Sequence, residues 1–261
     1  MTAELAGRHA LICGATEGIG RATALALAER GATVTALARR EDALRALCEA
    51  LPSNGGQVHG HIAVDIGDTD ALRESIAALA SRTPVHIVLN NTGGPAGGQL
   101  ADASVDQLSM VFRQHVLAAH TILQAVLPGM QAARWGRIVN VISTAVREPI
   151  AGLGVSNTIR GAMASWAKTL ASELAAFGIT VNNVLPGFTE TGRLSGLIAA
   201  KARAAGVDER SVAADMVSGV PAGRFARAEE PAALIAFLCS EAAGYIDGSS
   251  IAVDGGRTRC I

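Results

Sequence analysis

Short runs of apolar and β-branched residues alternate with longer Ala- and Leu-rich stretches along the whole chain. The short runs are apolar throughout, which is typical of parallel strands that are buried on both faces. They predict seven strands, at residues 9–13, 33–37, 58–64, 85–89, 137–142, 179–185 and 251–253. Apolar residues at helical spacing predict helices between them, at residues 19–30, 42–51, 69–80, 105–130, 156–177 and 231–238.

This repetition of strand, helix and strand predicts an α/β fold of Rossmann type, in which helices flank a doubly wound parallel sheet of seven strands. Because the chain has no Pro- or Ser-rich linker and no internal repeat, we expect a single domain over residues 1–261. The glycine-containing segment 188–224 follows a predicted strand and interrupts the alternation of strands and helices. We interpret it as a substrate lid, since open α/β sheets bind ligands at the carboxyl ends of their strands; a solvent-exposed helical hairpin is the alternative.

Composition narrows the possible functions. The chain is 49% hydrophobic and 17% charged, and its 22 basic and 23 acidic residues leave a net charge of -1. This balance does not provide the positive field that nucleic-acid binding requires, so we expect no nucleic-acid partner. We see no apolar stretch of the roughly 18 residues that a membrane span needs and no signal peptide, so we expect no membrane partner. The four cysteines show neither metal-ligand spacing nor a paired framework, which indicates a reducing cytoplasm and no metal site.

A glycine-rich loop follows the first predicted strand directly and opens a helix. Glycines at such a turn let the backbone approach a pyrophosphate, whose charge then lies at the helix N-terminus. A purely structural turn is the alternative. The loop residues predicted to bind the cofactor are Gly14, Thr16, Glu17, Gly18, Ile19 and Gly20.

Two arginines, Arg39 and Arg40, follow the second predicted strand, where no carboxylate is present. An acidic residue at this position would bind a ribose 2′-hydroxyl, whereas an arginine accommodates a 2′-phosphate. The pair therefore favours NADP(H) over NAD(H). The nearby acidic residues Glu17, Glu41 and Asp42 weaken this preference, and one arginine capping a surface turn is the alternative interpretation.

Further motifs occur in order along the chain and make it resemble the short-chain dehydrogenase/reductase family, particularly its 3-oxoacyl-carrier-protein-reductase-like members, from about residue 6 to residue 256. The motifs are the glycine loop, Asp65, Asn90-Asn91-Thr92-Gly93, Gly136-Arg-Ile-Val-Asn140, Ser143, Lys168 to Glu173, Val181-Asn182, Pro186-Gly187 and Val253-Asp-Gly-Gly256. The resemblance implies that Asp65 and Ile66 flank the adenine and that Asn91, Thr92 and Gly93 line the ribose side. It also implies that Pro186, Gly187 and Thr189 meet the nicotinamide end.

The family uses a catalytic Ser, a Tyr thirteen positions later, a Lys four positions beyond that and an Asn on an earlier helix. Ser143 matches the Ser, but the same spacing gives Ser156 for Tyr, Arg160 for Lys and His115 for Asn. The only tyrosine, Tyr245, lies far from this position. The chain therefore departs from the family pattern at three of four catalytic positions.

These departures change the proton chemistry of the site. In the family, a lysine cation lowers the pKa of Tyr from about 10, so that the phenol can pass a proton. A serine hydroxyl is a far weaker acid, yet Ser143 and Ser156 can donate hydrogen bonds to a substrate oxygen, and Arg160 can hold the cofactor ribose. His115, with an ordinary pKa of about 6.5, is either a proton relay or a packed structural residue.

The leading prediction is an NADP(H)-dependent oxidoreductase that transfers a hydride to or from a small carbonyl, imine or quinone-like substrate. Segment 188–224, with Arg203, Arg210 and Arg224, is compatible with aromatic, acyl or polyketide-like molecules. One alternative is a cofactor-binding homologue without redox turnover, such as a sensor or partner subunit. Another is non-redox catalysis as in the halohydrin dehalogenases, which resemble this family but lack the glycine loop that is present here. The resemblance also implies a homo-oligomer, a tetramer or a dimer, built on the helices that begin near Val105 and Ser156.

Overall fold

A parallel sheet of seven strands occupies the centre of the molecule, in the spatial order β3-β2-β1-β4-β5-β6-β7. A computed structural model describes residues 3–53 and 55–260. The strands are β1 (His9–Cys13), β2 (Thr33–Ala38), β3 (Gly60–Ala63), β4 (Ile87–Asn90), β5 (Gly136–Val141), β6 (Ile179–Pro186) and β7 (Ser250–Val253). The strand order reverses between β1 and β4, and such a switch point opens a crevice at the carboxyl ends of the strands.

Helices cover both faces of the sheet. They are α1 (Gly18–Glu29), α2 (Glu41–Ala50), α3 (Thr69–Arg82), α4 (Val105–Phe112), α5 (Ala118–Ala133), α6 (Gly154–Leu174), α7 (Gly192–Ala205), α8 (Glu209–Ser218) and α9 (Glu229–Leu238). One apolar core joins the sheet to α1, α2 and α9, and a second core joins the opposite face to α3, α5 and α6. The predicted doubly wound α/β fold of Rossmann type is confirmed.

The predicted helix over residues 105–130 is interrupted. A π-helical turn at Arg113–Leu117 separates α4 from α5, and it carries His115. Such turns insert one residue into the helical repeat and are frequent at functional sites. Sequence periodicity did not show the turn, because the apolar spacing continues across it.

The helical stretch Val105–Ala133 is long and apolar enough to cross a membrane, judged by length and composition alone. This corrects the expectation that the chain has no apolar stretch long enough for a membrane span. A core helix of a globular protein passes the same test, and 39% of the most apolar window of this stretch is buried inside the fold. A single such helix is therefore a weak indication of a membrane span.

Segment 188–224 forms two helices, α7 and α8, which pack on each other through a small apolar cluster of their own. The base of the segment is closed, because Thr189 pairs with Ala226 in a short parallel bridge. The backbone N–H of Ala226 donates to the Phe188 carbonyl at 2.9 Å, and that of Glu190 donates to the Ala226 carbonyl at 2.8 Å. The segment therefore starts and ends at the same point beside the carboxyl end of β6.

A ladder of buried asparagines crosses the sheet. Asn90 lies in register with Asn140, and Asn140 with Asn183, on β4, β5 and β6. The Asn90 amide donates to Asn140 at 2.8 Å, Asn140 donates to Asn183 at 2.9 Å, and Asn183 donates to Ser250 on β7 at 3.1 Å. Because buried amides are costly unless they are paired, this ladder favours one register and sets the ends of these strands at fixed relative heights.

Candidate active site

A cleft of about 740 Å³ runs along the carboxyl edge of the sheet. Sixteen of the seventeen residues predicted to bind the cofactor line it, namely Gly14, Thr16, Glu17, Gly18, Ile19, Arg39, Arg40, Asp65, Ile66, Asn91, Thr92, Gly93, Arg160, Pro186, Gly187 and Thr189. The predicted catalytic residues Ser143 and Ser156 line the same cleft, as does Arg160. Gly20 and His115 do not line the cleft.

The glycine loop is shaped by close backbone packing. Gly14 has a φ of +62°, and a Cβ there would collide with the Asn91 carbonyl. A Cβ on Gly20 would collide with the Gly14 carbonyl, so Gly20 lies beneath the loop and lets it fold onto α1. Gly18 has a φ of +53°, and a Cβ there would lie 2.8 Å from the Thr191 side chain. The loop therefore presents backbone to the cleft at the start of α1, which suits a pyrophosphate.

The arginines at the end of β2 differ in their partners. The Arg40 guanidinium lies 3.2 Å from the Glu17 carboxylate and 3.3 Å from the Thr16 hydroxyl. Arg39 is exposed and makes no ion pair with any residue in 3–53 or 55–260. An arginine fork without a carboxylate partner fits a phosphate at this edge of the cleft.

The two serines offer hydroxyl donors. Ser143 follows β5 and caps a short helical turn, so its Oγ accepts from the Ala145 N–H at 3.1 Å and its own O–H stays available. Ser156 lies in the first turn of α6 and is buried. Its hydroxyl makes no hydrogen bond to the part of the chain that the structure describes. Both O–H groups can therefore donate to a substrate atom in the cleft.

Arg160 is a buried cation one turn further along α6, with 8% of its surface exposed. Its guanidinium donates to the Val141 carbonyl at 2.7 Å and to the Thr92 carbonyl at 3.1 Å. Burial, and then the nearby charge of Arg193, lower the pKa of Arg160 to about 10. Arg160 stays charged at neutral pH, and no carboxylate among the described residues pairs with it.

His115 lies in the π-helical turn with 4% of its surface exposed. Burial, followed by the charge of Arg160, lowers the pKa of His115 to about 3, although the Gly93 backbone raises it. Its Nε2 is buried and has no hydrogen-bond partner within the described residues. This low pKa favours a packed structural residue over a proton relay, because the protonated ring would be buried beside a second cation.

Sequence reasoning missed two arginines of the cleft. Arg193, at the start of α7, donates to the Gly94 carbonyl at 2.7 Å and to the Pro95 carbonyl at 3.0 Å. Arg257 lines the same end of the cleft after β7. The arginines noted in segment 188–224 from the sequence, Arg203, Arg210 and Arg224, do not line it. No motif marks Arg193 or Arg257, because only chain folding brings them to the cleft.

Apolar side chains complete this end of the cleft. They are Ile150, Leu153, Phe188, Leu194 and Leu197. The lining residues include no His, Cys, Lys or Tyr, so the cleft wall carries no side chain with an ordinary pKa between about 6 and 11. Within residues 3–53 and 55–260, no cluster of His, Cys, Asp or Glu could hold a metal ion.

Comparisons with known proteins agree with this architecture. The family described as enoyl-(acyl carrier protein) reductase matches residues 14–258. The 3-oxoacyl-[acyl-carrier-protein] reductase of Vibrio harveyi is 33% identical over 253 residues, which cover 97% of this chain and 98% of that protein.

Two solved structures superpose closely on the chain. L-sorbose reductase from Gluconobacter frateurii, solved with NADPH and L-sorbose, has a TM-score of 0.93 and 28% identity, with 100% of both chains covered. The NADPH-dependent reductase YwfH, involved in bacilysin biosynthesis, has a TM-score of 0.91 and 28% identity, covering 97% of this chain and 99% of that chain.

Proposed function

The chain belongs to the short-chain dehydrogenase/reductase family, and from that premise we propose that it is an NADP(H)-dependent oxidoreductase with a non-standard proton path. The observation that carries the proposal is that Ser143, Ser156 and Arg160 line the same cleft as the glycine loop. The proposed substrate is a small carbonyl, imine or quinone-like molecule.

The cofactor site is proposed from the fit of the residues to NADP(H). The glycine loop offers exposed backbone at the start of α1. Arg39 makes no ion pair within residues 3–53 and 55–260, and its guanidinium lies where a 2′-phosphate would bind. Asp65 and Ile66 would flank the adenine, and Asn91, Thr92 and Gly93 would line the ribose. Pro186, Gly187 and Thr189 would meet the nicotinamide. When bound, NADPH supplies a hydride.

The chain's own residues would orient the substrate and stabilise charge on it. Ser143 and Ser156 would donate hydrogen bonds to the carbonyl oxygen or to the corresponding heteroatom of the substrate. Arg160 would hold the cofactor ribose and keep a positive charge beside the reacting atoms. We assign Ser156 and Arg160 to the positions of the family Tyr and Lys, and His115 to the position of the family Asn.

The source of the proton distinguishes this mechanism from that of the family. Because the cleft wall carries no Tyr, Lys or His, the alkoxide formed by reduction of a carbonyl would take its proton from water. An iminium ion needs no proton, since addition of a hydride to its carbon yields a neutral amine. His115 is neutral at neutral pH, so we propose that it is a packed structural residue and does not donate a proton.

The first test of the mechanism is Ser143→Ala. We expect the variant to lose most turnover of any substrate found in a screen of carbonyls, imines and quinones, while its affinity for NADPH stays unchanged. The loss expected for one missing hydrogen-bond donor is about 100-fold in kcat. Undiminished turnover in the variant would remove Ser143 from the mechanism.

The first test of the cofactor is a fluorescence titration with NADPH and, in parallel, with NADH. We expect tighter binding of NADPH, and Arg39→Ala should weaken NADPH binding by about tenfold and leave NADH binding unchanged. Arg73→Ala is a matched control, because Arg73 is also an exposed arginine but does not line the cleft. Equal affinity for the two cofactors would contradict the role of Arg39.

A second candidate function follows from the same lack of a proton donor on the cleft wall: a cofactor-binding sensor or partner subunit without redox turnover. Hydride transfer to any substrate at an enzyme-like rate would refute it. Failure to bind either cofactor would instead favour non-redox catalysis in the cleft.

Other expectations also stand as proposals. We propose that segment 188–224 is a lid over the substrate, because Thr191, Arg193 and Leu194 on it line the cleft. We also propose a cytoplasmic location, a small-molecule substrate and a homo-oligomer. No metal and no nucleic acid takes part in the proposed reaction.

A further inference from the structure

The charges on the cleft wall are distributed unevenly. Its two acidic residues are Glu17, which pairs with Arg40 after β2, and Asp65, which follows β3. The end that contains Ser143 carries three arginines, Arg160, Arg193 and Arg257, and no carboxylate among the lining residues. A concave surface with charges of one sign attracts a ligand of the opposite sign. The end of the cleft that contains Ser143 is therefore built for an anion.

Two of these arginines have structural partners. Arg160 spans the carbonyls of Val141 and Thr92, and Arg193 spans those of Gly94 and Pro95. These carbonyls accept hydrogen bonds from the two guanidinium groups but do not neutralise their positive charges. Burial, and then the charge of Arg193, lower the pKa of Arg160, and burial lowers the pKa of Arg193. An anion in the cleft would relieve this repulsion.

Arg257 is held differently, on a turn that the side-chain carboxylate of Asp254 stabilises. Asp254 accepts from the N–H groups of Gly256 at 3.0 Å and Thr258 at 2.8 Å. Gly255 and Gly256 have φ values of +64° and +82°, which only glycine adopts readily. The turn also packs on the substrate side of β6, since a Cβ on Gly187 would lie 2.7 Å from the Asp254 Cα. Arg257 is therefore anchored at the cleft by a defined backbone.

The guanidinium of Arg257 is also oriented. Its centre lies 4.6 Å from the centroid of the Phe188 ring, and its Nη1 lies 3.4 Å from the Thr144 hydroxyl. Stacking on an aromatic ring fixes the plane of the guanidinium, while its other N–H donors stay available. Arg257 makes no ion pair with any residue in the described part of the chain.

We propose that Arg257 binds a carboxylate of the substrate while Ser143 binds the group that is reduced. The proposal rests on the proposed function, and it narrows the substrate class to small oxo acids or related acids with an apolar body. Thr144, which contacts Arg257, directly follows Ser143 in the chain. The acid group and the reacting group must therefore be separated by only a few bonds.

The short distance between the acid group and the reacting group distinguishes the proposed substrate from a carrier-bound thioester. The phosphate of a carrier arm lies many bonds from the thioester carbonyl, so it would not reach an arginine that neighbours Ser143. The planar fork of arginine matches a carboxylate through two parallel hydrogen bonds. The apolar side chains of Phe188, Leu194 and Leu197 would contact the body of the acid.

The test compares binding of two probes that cannot be turned over, 3-phenylpropanoate and its neutral amide, 3-phenylpropanamide. Calorimetry is carried out with and without NADP+, so that a failure of the cofactor proposal leaves the comparison intact. We expect the wild-type protein to bind the acid about tenfold more tightly than the amide. In Arg257→Gln this preference should fall below about twofold, and in Arg257→Lys, which keeps the charge but loses the fork, it should be intermediate.

Arg259→Gln is the matched control, because Arg259 is exposed, lies two residues further along and does not line the cleft. It should keep the full preference for the acid, and a thermal melt of each variant should show an unchanged fold. Equal binding of acid and amide by the wild-type protein, no binding of the acid, or an unchanged preference in Arg257→Gln would each overturn the carboxylate site. None of these outcomes would contradict hydride transfer, which the Ser143→Ala turnover assay tests separately.

Discussion

Gly20 and His115 shape the cleft without lining it. Gly20 lets the glycine loop fold onto α1, since any Cβ there would strike the Gly14 carbonyl. His115 contributes a neutral ring beside Arg160, where a charged ring would be unfavourable. The site therefore depends on the absence of a Cβ at Gly20 and on the neutral state of His115, as well as on the groups that line the cleft.

Gly20→Ala should destabilise the protein by about 1–3 kcal/mol, because the new methyl group forces the loop away from α1. Binding of NADPH should weaken in parallel, since the loop backbone is displaced. Gly196→Ala is the matched control, a helical glycine whose Cβ would meet nothing within 4 Å. It should stabilise the protein by about 0.5–1 kcal/mol in urea unfolding. Equal stability of the two variants would contradict the packing of the loop.

His115 should make the protein sensitive to acid. Its pKa is about 3 in the folded state and about 6.5 in the unfolded chain, so the unfolded state binds the proton more readily. Its contribution is fully present above pH about 6.5 and is lost progressively as pH falls toward about 3. The loss is on the order of a few kcal/mol.

His115→Asn should therefore flatten the fall of unfolding free energy between neutral pH and about pH 4, measured by urea unfolding. His9 and His86, whose pKa values are also lowered by burial, leave a residual slope. His120→Asn, at an exposed position five residues further on, should leave the slope unchanged. An unaltered slope in His115→Asn would show that the ring is not buried as a neutral group.

At the scale of elements, segment 188–224 is a helical pair whose two ends meet beside the carboxyl end of β6. Arg224 lies at its end and forms a two-pronged ion pair with Glu230 on α9, with both N–O distances at 2.7 Å. The Arg227 N–H also donates to this carboxylate at 2.7 Å, and together these donors lower the pKa of Glu230 to about 2. Glu230 therefore secures the exit of the segment to the body of the protein.

Glu230→Gln should loosen this anchor and speed hydrogen exchange in residues 219–228. We expect KM for the substrate to rise about two- to fivefold with little change in kcat, as for the loss of one surface ion pair. Glu41→Gln is the matched control, since it removes the 2.6 Å ion pair with Arg45 on α2, away from the segment. If both variants exchanged at the wild-type rate over residues 219–228, the anchor would have no role.

At the scale of the whole molecule, apolar side chains are exposed along the interrupted helix. They are Val105, Met110, Phe112 and Leu117, which lie on α4 and the π-helical turn. Several exposed apolar groups on one short stretch mark a surface for association. We therefore expect a second copy of the chain to cover this stretch.

Leu117→Glu should shift the protein to a smaller species in size-exclusion chromatography with light scattering, because a carboxylate would be buried at the interface. Val58→Glu is the matched control, since Val58 is exposed near the edge strand β3, away from this stretch. It should leave the mass unchanged. A wild-type protein that elutes as a monomer would contradict the oligomer.

The sequence by itself determined the seven strands, the doubly wound order and the glycine loop at the start of α1. These features follow from local patterns, since burial on both faces of a strand and a tight glycine turn each leave a mark within a few residues. Spacing within one helix likewise put Ser156 and Arg160 one turn apart on α6.

Only the tertiary structure decided the π-helical turn, the asparagine ladder, the low pKa of His115 and the arrival of Arg193 and Arg257 at the cleft. Each depends on groups that are far apart in the chain: Asn90 meets Asn140, and Arg257 meets Thr144. The burial of a single polar side chain and the charges around it depend on the folded surroundings, so no local pattern encodes them. The chemistry of the substrate end therefore became visible only when the chain was folded.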